Sequence, residues 1–121
     1  MKYRILIVSA NYYTDISNNL LKDAKTTLKS KAKYQIINVP GVFEIPVIIA
    51  KNIKKYHGFI ALGCVIKGET PHFDFISNTT INAIMNLSIV HKKPIGNGIL
   101  TCLYKRQAKA RSGSFNKVGK G

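Results

Sequence analysis

Short, mostly apolar runs alternate along the chain with segments in which apolar residues recur every three or four positions. The apolar runs cover 3–9, 34–39 and 58–66, and a fourth follows Pro94 and continues through Cys102. Such runs are typical of strands that are buried on both faces of a parallel sheet. We therefore predict four strands.

Helical spacing of apolar residues marks the segments between and after these strands. The predicted helices cover residues 16–28, 44–56, about 72–90 and 104–111. Pro46 fits the first turn of the second helix, where a missing N–H group leaves no hydrogen bond unmade. Thr70 is predicted to cap the third helix, with Pro71 as its first residue. Residues 112–121 are small, polar and basic, so we predict an irregular tail there.

The order of these elements predicts an α/β protein. Strand, helix and strand in alternation imply a parallel sheet with helices on both faces. A length of 121 residues suits one core, so we expect residues 1–121 to form a single domain. Ligands of such sheets bind beyond the carboxyl ends of the strands. Those ends carry residues 11–12, 40–44, 67–72 and the region of Thr101.

The net charge of +14 raises the question of a nucleic-acid or membrane partner. Nearly all of the positive charge is lysine, and Arg4, Arg106 and Arg111 are the only arginines. Specific readers of nucleic acid rely on arginine forks, and a stacking platform needs aromatic residues interleaved with basic ones. The linear sequence has neither pattern. We therefore expect the lysines to be solvated surface charge, with a modest attraction for anionic substrates.

No apolar run reaches the ~18 residues that a membrane-spanning helix needs. The first apolar run is too short for a signal peptide, and no small-residue cleavage site follows it. We therefore expect a cytoplasmic protein. Cys64 and Cys102 each lie in a strand-like run, without a second ligand at metal-binding spacing. We expect two reduced thiols and no metal site.

The loop at 67–72, Lys-Gly-Glu-Thr-Pro-His, is the first candidate for chemistry. A glycine and free backbone N–H groups at a helix start suit a phosphate or another anion, although the spacing is not that of a P-loop. The helix dipole disfavours a cationic imidazole at His72, which makes this residue a candidate proton shuttle. An ordinary capped loop with a surface histidine would explain the same residues.

Three further groups are candidates for ligand contacts. Tyr12 and Phe43 can pack on a flat ring, and Glu44 can accept N–H hydrogen bonds. Arg111 and Lys117 can hold a phosphate. A loop tyrosine, a turn with a favourable first-turn acid and solvated charges would explain these residues without a ligand.

Together and in this order, these segments resemble the lumazine synthase family. Residues 61–75, Ala-Leu-Gly-Cys-Val-Ile-Lys-Gly-Glu-Thr-Pro-His-Phe-Asp-Phe, match its most diagnostic stretch. Residues 39–46 match its Pro-Gly-x-aromatic-Glu-Ile-Pro loop. The less specific matches are 93–95 with 98–101, Gln107, Ala108, Arg111, Asn116 and Lys117. The resemblance covers essentially the whole chain.

The resemblance implies a flavodoxin-like three-layer sandwich with a four-stranded parallel sheet and helices on both faces. It implies condensation of 5-amino-6-(D-ribitylamino)uracil with 3,4-dihydroxy-2-butanone 4-phosphate. The products are 6,7-dimethyl-8-ribityllumazine, phosphate and water, in a transferase step of riboflavin biosynthesis. No hydride or electron moves, so no cofactor is implied. Homopentamers are also implied, in some members assembled into icosahedral shells, with each active site between two subunits.

The family's site residues transfer to matching positions of this chain. His72 would be the acid/base. The pyrimidine substrate would be held by residues from several strand ends, namely Tyr12, Val42, Phe43, Glu44, Cys64, Val65, Ile66 and Asn97. Phosphate would be held by Glu69 and Thr70 through helix-start N–H groups, and by Arg111 of a neighbouring subunit.

The sequence departs from the family pattern in three places. Asn97 stands where the family usually has an aromatic residue that covers the substrate ring from the adjacent subunit, a stack worth ~1 kcal/mol or more. The family pattern usually continues into a long C-terminal helix where this sequence ends with residues 116–121, so a C-terminal truncation is expected. The family also often has a short segment before its first strand.

Three alternatives to a working synthase follow from the same observations. One is a truncated relative that binds ligand without turnover. Another is a basic nucleic-acid-binding module on the same fold. The third is the pentameric archaeal type of riboflavin synthase, which resembles this family and takes the lumazine itself as its substrate.

Overall fold

A four-stranded sheet forms the centre of the protein. The computed structural model describes residues 3–69 and 71–112, so the predictions for Thr70 and for 113–121 lie outside the described residues. The strands are β1 (Tyr3–Ala10), β2 (Ala32–Val39), β3 (Gly58–Ile66) and β4 (Ile95–Cys102). Their order is β2-β1-β3-β4, and all three pairings are parallel. This confirms the predicted parallel sheet.

Within the described residues, four α-helices cover the sheet on both faces. They are α1 (Thr14–Leu28), α2 (Ile45–Lys51), α3 (Phe73–His91) and α4 (Lys105–Ser112). Two 3-10 turns, Val42–Glu44 and Lys67–Glu69, follow β2 and β3. α1 and α4 share one apolar core with the sheet, and α2 and α3 share the other, which confirms the three-layer α/β arrangement. In the described part of the chain, no helix has the length and apolar character needed to cross a membrane.

Burial on both faces explains why β1 is a continuous apolar run. Leu6 and Val8 point into the core under α2 and α3, whereas Ile7 points into the core under α1 and α4. All three side chains are fully buried. Alternation of apolar and polar residues, which marks a strand with one wet face, is therefore absent from this strand.

Helix α2 is shorter than predicted, because it ends at Lys51 rather than near residue 56. The amide of Asn52 donates through Nδ2 to the carbonyl of Ile48 at 2.8 Å. The backbone N–H of Asn52 bonds to the carbonyl of Ile49 at 3.0 Å, which tightens the chain into a turn. A side chain that competes for helix carbonyls in this way favours a helix end.

The third helix was predicted to start at about residue 72 and starts one residue later, but Pro71 is not its first residue as predicted. The 3-10 turn Lys67–Glu69 follows β3, and α3 begins at Phe73 rather than at Pro71. His72 occupies the N-cap position with φ −111° and ψ 37°, and its carbonyl accepts from the N–H of Ile76 at 2.9 Å. At the other end of the chain, α4 includes the buried Ser112, which was predicted to begin the irregular tail.

Candidate functional site

A cleft opens where the connections from β1 and β3 leave the sheet toward opposite faces. The chain passes from β1 into α1 on one face and from β3 into α3 on the other. Such a switch point leaves a crevice beyond the carboxyl ends of the two strands, where α/β proteins bind ligands. The cleft here has a volume of about 330 Å³. It is lined by Ala10, Tyr12, Tyr13, Gly41, Val42, Phe43, Glu44, Cys64, Val65, Glu69, Pro71 and Ile76.

The loop after β1 brings Tyr12 to this cleft. The N–H of Asn11 bonds to the carbonyl of Val39 at 3.0 Å, which extends the pairing of β1 with β2 by one step. The buried hydroxyl of Ser17 donates to the carbonyl of Ala10 at 2.6 Å and ties the start of α1 to the end of β1. The loop between these two bonds holds Tyr12, which is 73% exposed.

The 3-10 turn Val42–Glu44 is anchored by its first residue. Val42 is buried, and its side chain lies directly over Gly63 of β3. A Cβ atom added to Gly63 would come within 2.5 Å of Val42 Cγ1, so only glycine allows this close approach. Phe43, the next residue, is half-exposed and faces Phe75 with ring centroids 6.2 Å apart and an interplanar angle of 32°.

Gly41 gives room to the carboxylate at the end of the same turn. The N–H of Glu44 bonds to the carbonyl of Gly41 at 3.2 Å. A Cβ atom at Gly41 would lie 3.1 Å from Glu44 Oε1, so the carboxylate folds back over the glycine. The turn therefore presents a ring and a carboxylate side by side at the mouth of the cleft.

Cys64 and Val65 form the floor that β3 contributes. Burial is the main reason that the pKa of the Cys64 thiol is raised to about 12, and the neighbouring Cys102 thiol is the next largest cause. The thiol is therefore protonated near neutral pH, and it cannot supply the thiolate that covalent catalysis would need. Ile66, the next residue, is fully buried in the core under α1 and α4 and does not line the cleft.

The loop after β3 joins this cleft to a second depression. Glu69 lines the main cleft, and Pro71 borders both. The second depression has a volume of about 390 Å³, and its remaining walls are Lys67, His72, Phe73, Asp74 and Phe75. His72 is exposed and makes no capping hydrogen bond with its side chain. The imidazole of His72 and the ammonium group of Lys67 therefore lie beside a cleft that carries two carboxylates, those of Glu44 and Glu69.

Arg111 and Asn97 do not line the cleft of their own chain. Gln107 Oε1 accepts from the N–H of Leu103 at 2.8 Å and caps the start of α4, the helix that carries Arg111. The Arg111 guanidinium donates through Nη1 to the carbonyl of Thr101 at 3.4 Å and to Cys102 Sγ at 3.6 Å. Asn97 is exposed on β4, where its Oδ1 accepts from the N–H of Ile99 at 3.0 Å.

Sequence reasoning named six of the cleft-lining residues as pyrimidine contacts and missed several others. Tyr13, Gly41 and Ile76 line the cleft, and Phe75 lies against Phe43. Helical spacing could have identified Ile76, because it follows His72 by about one helical turn and so lies on the same side of α3. The position of Gly41 beside Glu44 depends on side-chain packing, which no sequence pattern reveals.

Comparison with known proteins gives one consistent answer. The profile of the family described as 6,7-dimethyl-8-ribityllumazine synthase matches residues 2–121. The chain is 49% identical to the 6,7-dimethyl-8-ribityllumazine synthase of Bartonella henselae, over 92% of this chain and 75% of the relative. It is 46% identical to the protein of that name from Agrobacterium fabrum, over 91% of this chain and 80% of the relative. By this match and these identities, the chain belongs to the 6,7-dimethyl-8-ribityllumazine synthase family.

Proposed function

We propose that this protein condenses 5-amino-6-(D-ribitylamino)uracil with 3,4-dihydroxy-2-butanone 4-phosphate to give 6,7-dimethyl-8-ribityllumazine, phosphate and water. Family membership supports this activity. The structural observation that carries it is the cleft at the switch point, whose walls include Tyr12, Phe43, Glu44 and Cys64. A flat heterocycle fits between aromatic rings at a site that also offers a carboxylate and backbone polar groups.

The pyrimidine substrate is assigned to the main cleft. Its ring packs on Phe43 and Tyr12, and its N–H groups donate to Glu44 and to carbonyls of the loop after β2. The protonated Cys64 thiol and Val65 form an apolar floor, which excludes water from the amine that must attack. Positioning of this kind accelerates a two-substrate reaction because it replaces a bimolecular encounter.

His72 is the proposed acid/base. The amine of the pyrimidine attacks the ketone, and the resulting carbinolamine loses water to give an imine. Loss of the proton on the carbon beside the imine then expels phosphate, and the enol that forms becomes a ketone. Ring closure by the second amine on this ketone releases a second water. These steps move protons between carbon, nitrogen and oxygen atoms, and we assign the transfers to a single imidazole beside the cleft. His72 is exposed in the second depression, next to Pro71, which borders both this depression and the cleft, and this position supports the role.

The phosphate group is assigned to the helix-start side of the site. Backbone N–H groups near Glu69 and Thr70 would hold it, since a helix N-terminus attracts anions. Arg111 would complete the clamp from a neighbouring subunit. Its guanidinium donates to Thr101 and Cys102 at the end of β4 and does not line the cleft of its own chain, which supports a role in the site of a neighbouring subunit.

The proposal extends to a homopentamer in the cytoplasm, as the family resemblance implies. Four large apolar residues of α3 are exposed, and they are Phe75, Met85, Ile89 and Val90. Their exposed fractions range from 57% to 65%. An apolar stripe of this kind on a surface helix is the usual mark of a subunit contact.

The test is formation of the lumazine, followed by absorbance, from the two purified substrates. Product above the uncatalysed background supports the synthase. Supplying the lumazine alone separates this activity from that of an archaeal-type riboflavin synthase, which would convert it to riboflavin. Riboflavin from lumazine, with no lumazine from the two precursors, would overturn the proposal.

A second candidate function is binding of the pyrimidine without turnover. It is favoured by one observation, the amide at Asn97 in place of an aromatic ring. A folded protein that binds the pyrimidine by calorimetric titration but forms no product would establish this second function in place of the first.

A further inference from the structure

The charges of this protein separate along the direction of the strands. We call the end at which the strands begin the amino edge, and define it as residues 3–5, 28–34, 51–58 and 91–95. The basic residues of the amino edge are Arg4, Lys29, Lys31, Lys33, Lys51, Lys54, Lys55, Lys92 and Lys93. None of the five acidic residues of the chain lies in these segments. Nearly half of the basic residues are therefore concentrated at one end without compensating charge.

The register of the sheet and several hydrogen bonds hold these segments together. Arg4 pairs with Lys33 across β1 and β2, and Phe59 of β3 pairs with Ile95 of β4. The N–H of Arg4 donates to His57 Nδ1 at 2.8 Å, and the N–H of His57 donates to the carbonyl of Arg4 at 2.8 Å. The amino edge is thus a continuous surface rather than four unrelated loops.

Stabilisation of helix ends accounts for only part of this charge. Cations near a helix C-terminus are favourable by roughly 0.3–1 kcal/mol each. Lys93 is used in this way, since its half-buried ammonium donates to the carbonyls of Ile53 and Tyr56 after α2. Arg4 and Lys33 begin strands, and Lys54 lies beyond the end of α2; all three are exposed. No intramolecular role on the described surface explains their charge.

Aromatic residues lie among these charges in space, although they do not alternate with them in the sequence. A cleft of about 440 Å³ opens at the amino edge, with Arg4, Lys33, Tyr34, Gln35 and Tyr56 among its walls. Tyr34 pairs with Ile5 and so points to the α1 face of the sheet, whereas Gln35 points to the α2 face. Tyr34 is 37% exposed, so part of its ring is available to a ligand at the rim of the cleft. The Tyr56 hydroxyl is hydrogen-bonded to Gln35 Oε1, which fixes one wall of the cleft.

We propose that the amino edge binds single-stranded nucleic acid, as a second function separate from the reaction site. Backbone phosphates lie along the lysines and the cleft, and a base stacks on Tyr34 at the rim. Single-strand sites combine a basic groove with aromatic faces in this way, and they tolerate any sequence. A concave cleft with polar walls fits a narrow, flexible single strand better than it fits the flat surface of an anionic membrane. The reaction site lies at the opposite ends of the strands, which at 8–9 residues place it about 26–30 Å away.

The test compares two variants of equal net charge in the full chain. The edge variant carries Lys31→Gln, Lys33→Gln and Lys54→Gln, and the control variant carries the same change at the exposed Lys22, Lys105 and Lys109. Binding of a fluorescein-labelled oligothymidylate of about 20 nucleotides, longer than one site, is measured by anisotropy over a range of salt concentrations. Thermal unfolding of each variant checks that the fold is retained.

We expect the edge variant to bind at least roughly 10-fold more weakly and to lower the salt slope by about 2, since each lost phosphate contact contributes about 0.7. The control variant keeps most of the affinity. Tyr34→Leu, which keeps an apolar side chain without the ring, weakens binding by about 5-fold or more.

Three outcomes would overturn the proposal. Equal losses in the edge and control variants would mean that only diffuse charge attracts the oligonucleotide. Inorganic polyphosphate bound as tightly as the oligonucleotide, with no effect of Tyr34→Leu on either, would remove the stacking step. Tighter binding to vesicles of phosphatidylserine and phosphatidylcholine than to the oligonucleotide would assign the amino edge to a membrane surface instead.

Discussion

Replacement of Gly63 by alanine tests whether packing beneath the 3-10 turn sets the geometry of the reaction site. The new Cβ atom would lie 2.5 Å from Val42 Cγ1 and 3.1 Å from Ala10 Cβ, whereas ordinary contacts of this kind begin at 3.4 Å. Val42 must therefore retreat by about 1 Å, and Phe43 and Glu44 move with it because they belong to the same turn. Overpacking of a buried site typically costs about 1–3 kcal/mol. We expect Tm to fall by roughly 5–10 °C.

The effect on function should be larger than the effect on folding. A displacement of about 1 Å at a positioning residue can cost up to about 100-fold in rate, so we expect kcat/KM for the pyrimidine to fall by roughly 10- to 100-fold. Steady-state kinetics with each substrate varied in turn measure this. Gly96→Ala is the matched control, since its Cβ would meet nothing closer than Ile60 Cγ1 at 3.7 Å.

A double variant identifies the clash itself as the cause. Val42→Ala removes the Cγ1 atom that the methyl group introduced by Gly63→Ala would strike. The two changes together should therefore be less damaging than the sum of their separate effects, by about 1 kcal/mol or more. Strict additivity of the two changes would refute the reasoning. So would a Gly63→Ala protein with unchanged Tm and unchanged kinetics.

Three further predictions concern the proposed site. His72→Ala should lower turnover by roughly 10- to 1000-fold, the usual range for a general acid/base. His91→Ala, at the far end of α3, is the control and should leave turnover unchanged. An unchanged rate in His72→Ala would remove His72 from the mechanism. Arg111→Ala should raise KM for the phosphorylated ketone far more than KM for the pyrimidine, and equal effects on both constants would contradict the phosphate assignment. The pKa of Cys64 is raised from 9.0 to about 12, so the folded state holds this proton more tightly than the unfolded state does. The resulting contribution to the free energy of unfolding is present below pH 9 and is lost as the pH rises toward 12. Urea unfolding measures the free energy of unfolding at pH 8 and at pH 11. Its fall between the two pH values should be larger in the wild type than in Cys64→Ala by on the order of 1 kcal/mol, allowing for partial exposure of the thiol. An equal fall in both proteins would show that burial of the thiol is not the cause.

The fold could be predicted because its signals are local and repeated. Strands buried on both faces give continuous apolar runs, and β3 was predicted with the bounds that the structure has. The ends of helices depend instead on single hydrogen bonds, and there prediction failed. Asn52 ended α2 early through a bond to Ile48, and the 3-10 turn at Lys67–Glu69 delayed α3.

The candidate site was predictable to the extent that it is made of consecutive residues at strand ends. Phe43, Glu44 and Cys64 came from short motifs, and the parallel topology brings those motifs to one cleft. Contacts between motifs could not be predicted, because they depend on how side chains from distant parts of the sequence pack in the folded protein. The approach of Val42 to Gly63 and the pairing of Phe43 with Phe75 are of this kind.

The same topology explains why the charge could not be interpreted from the sequence alone. Each helix of a parallel sheet returns the chain to the edge where the strands begin, so every helix-to-strand connection ends there. In this chain those connections are rich in lysine, whereas Asp15, Glu44, Glu69 and Asp74 follow the strands at the opposite edge. Nearly half of the basic residues, although they come from separate parts of the sequence, therefore form one surface after folding. That surface and the reaction cleft are built from different connections. The edge variant should therefore keep lumazine formation unchanged while its salt-dependent binding of the oligonucleotide is weakened. A parallel loss of both would show that the two ends of the sheet do not act independently.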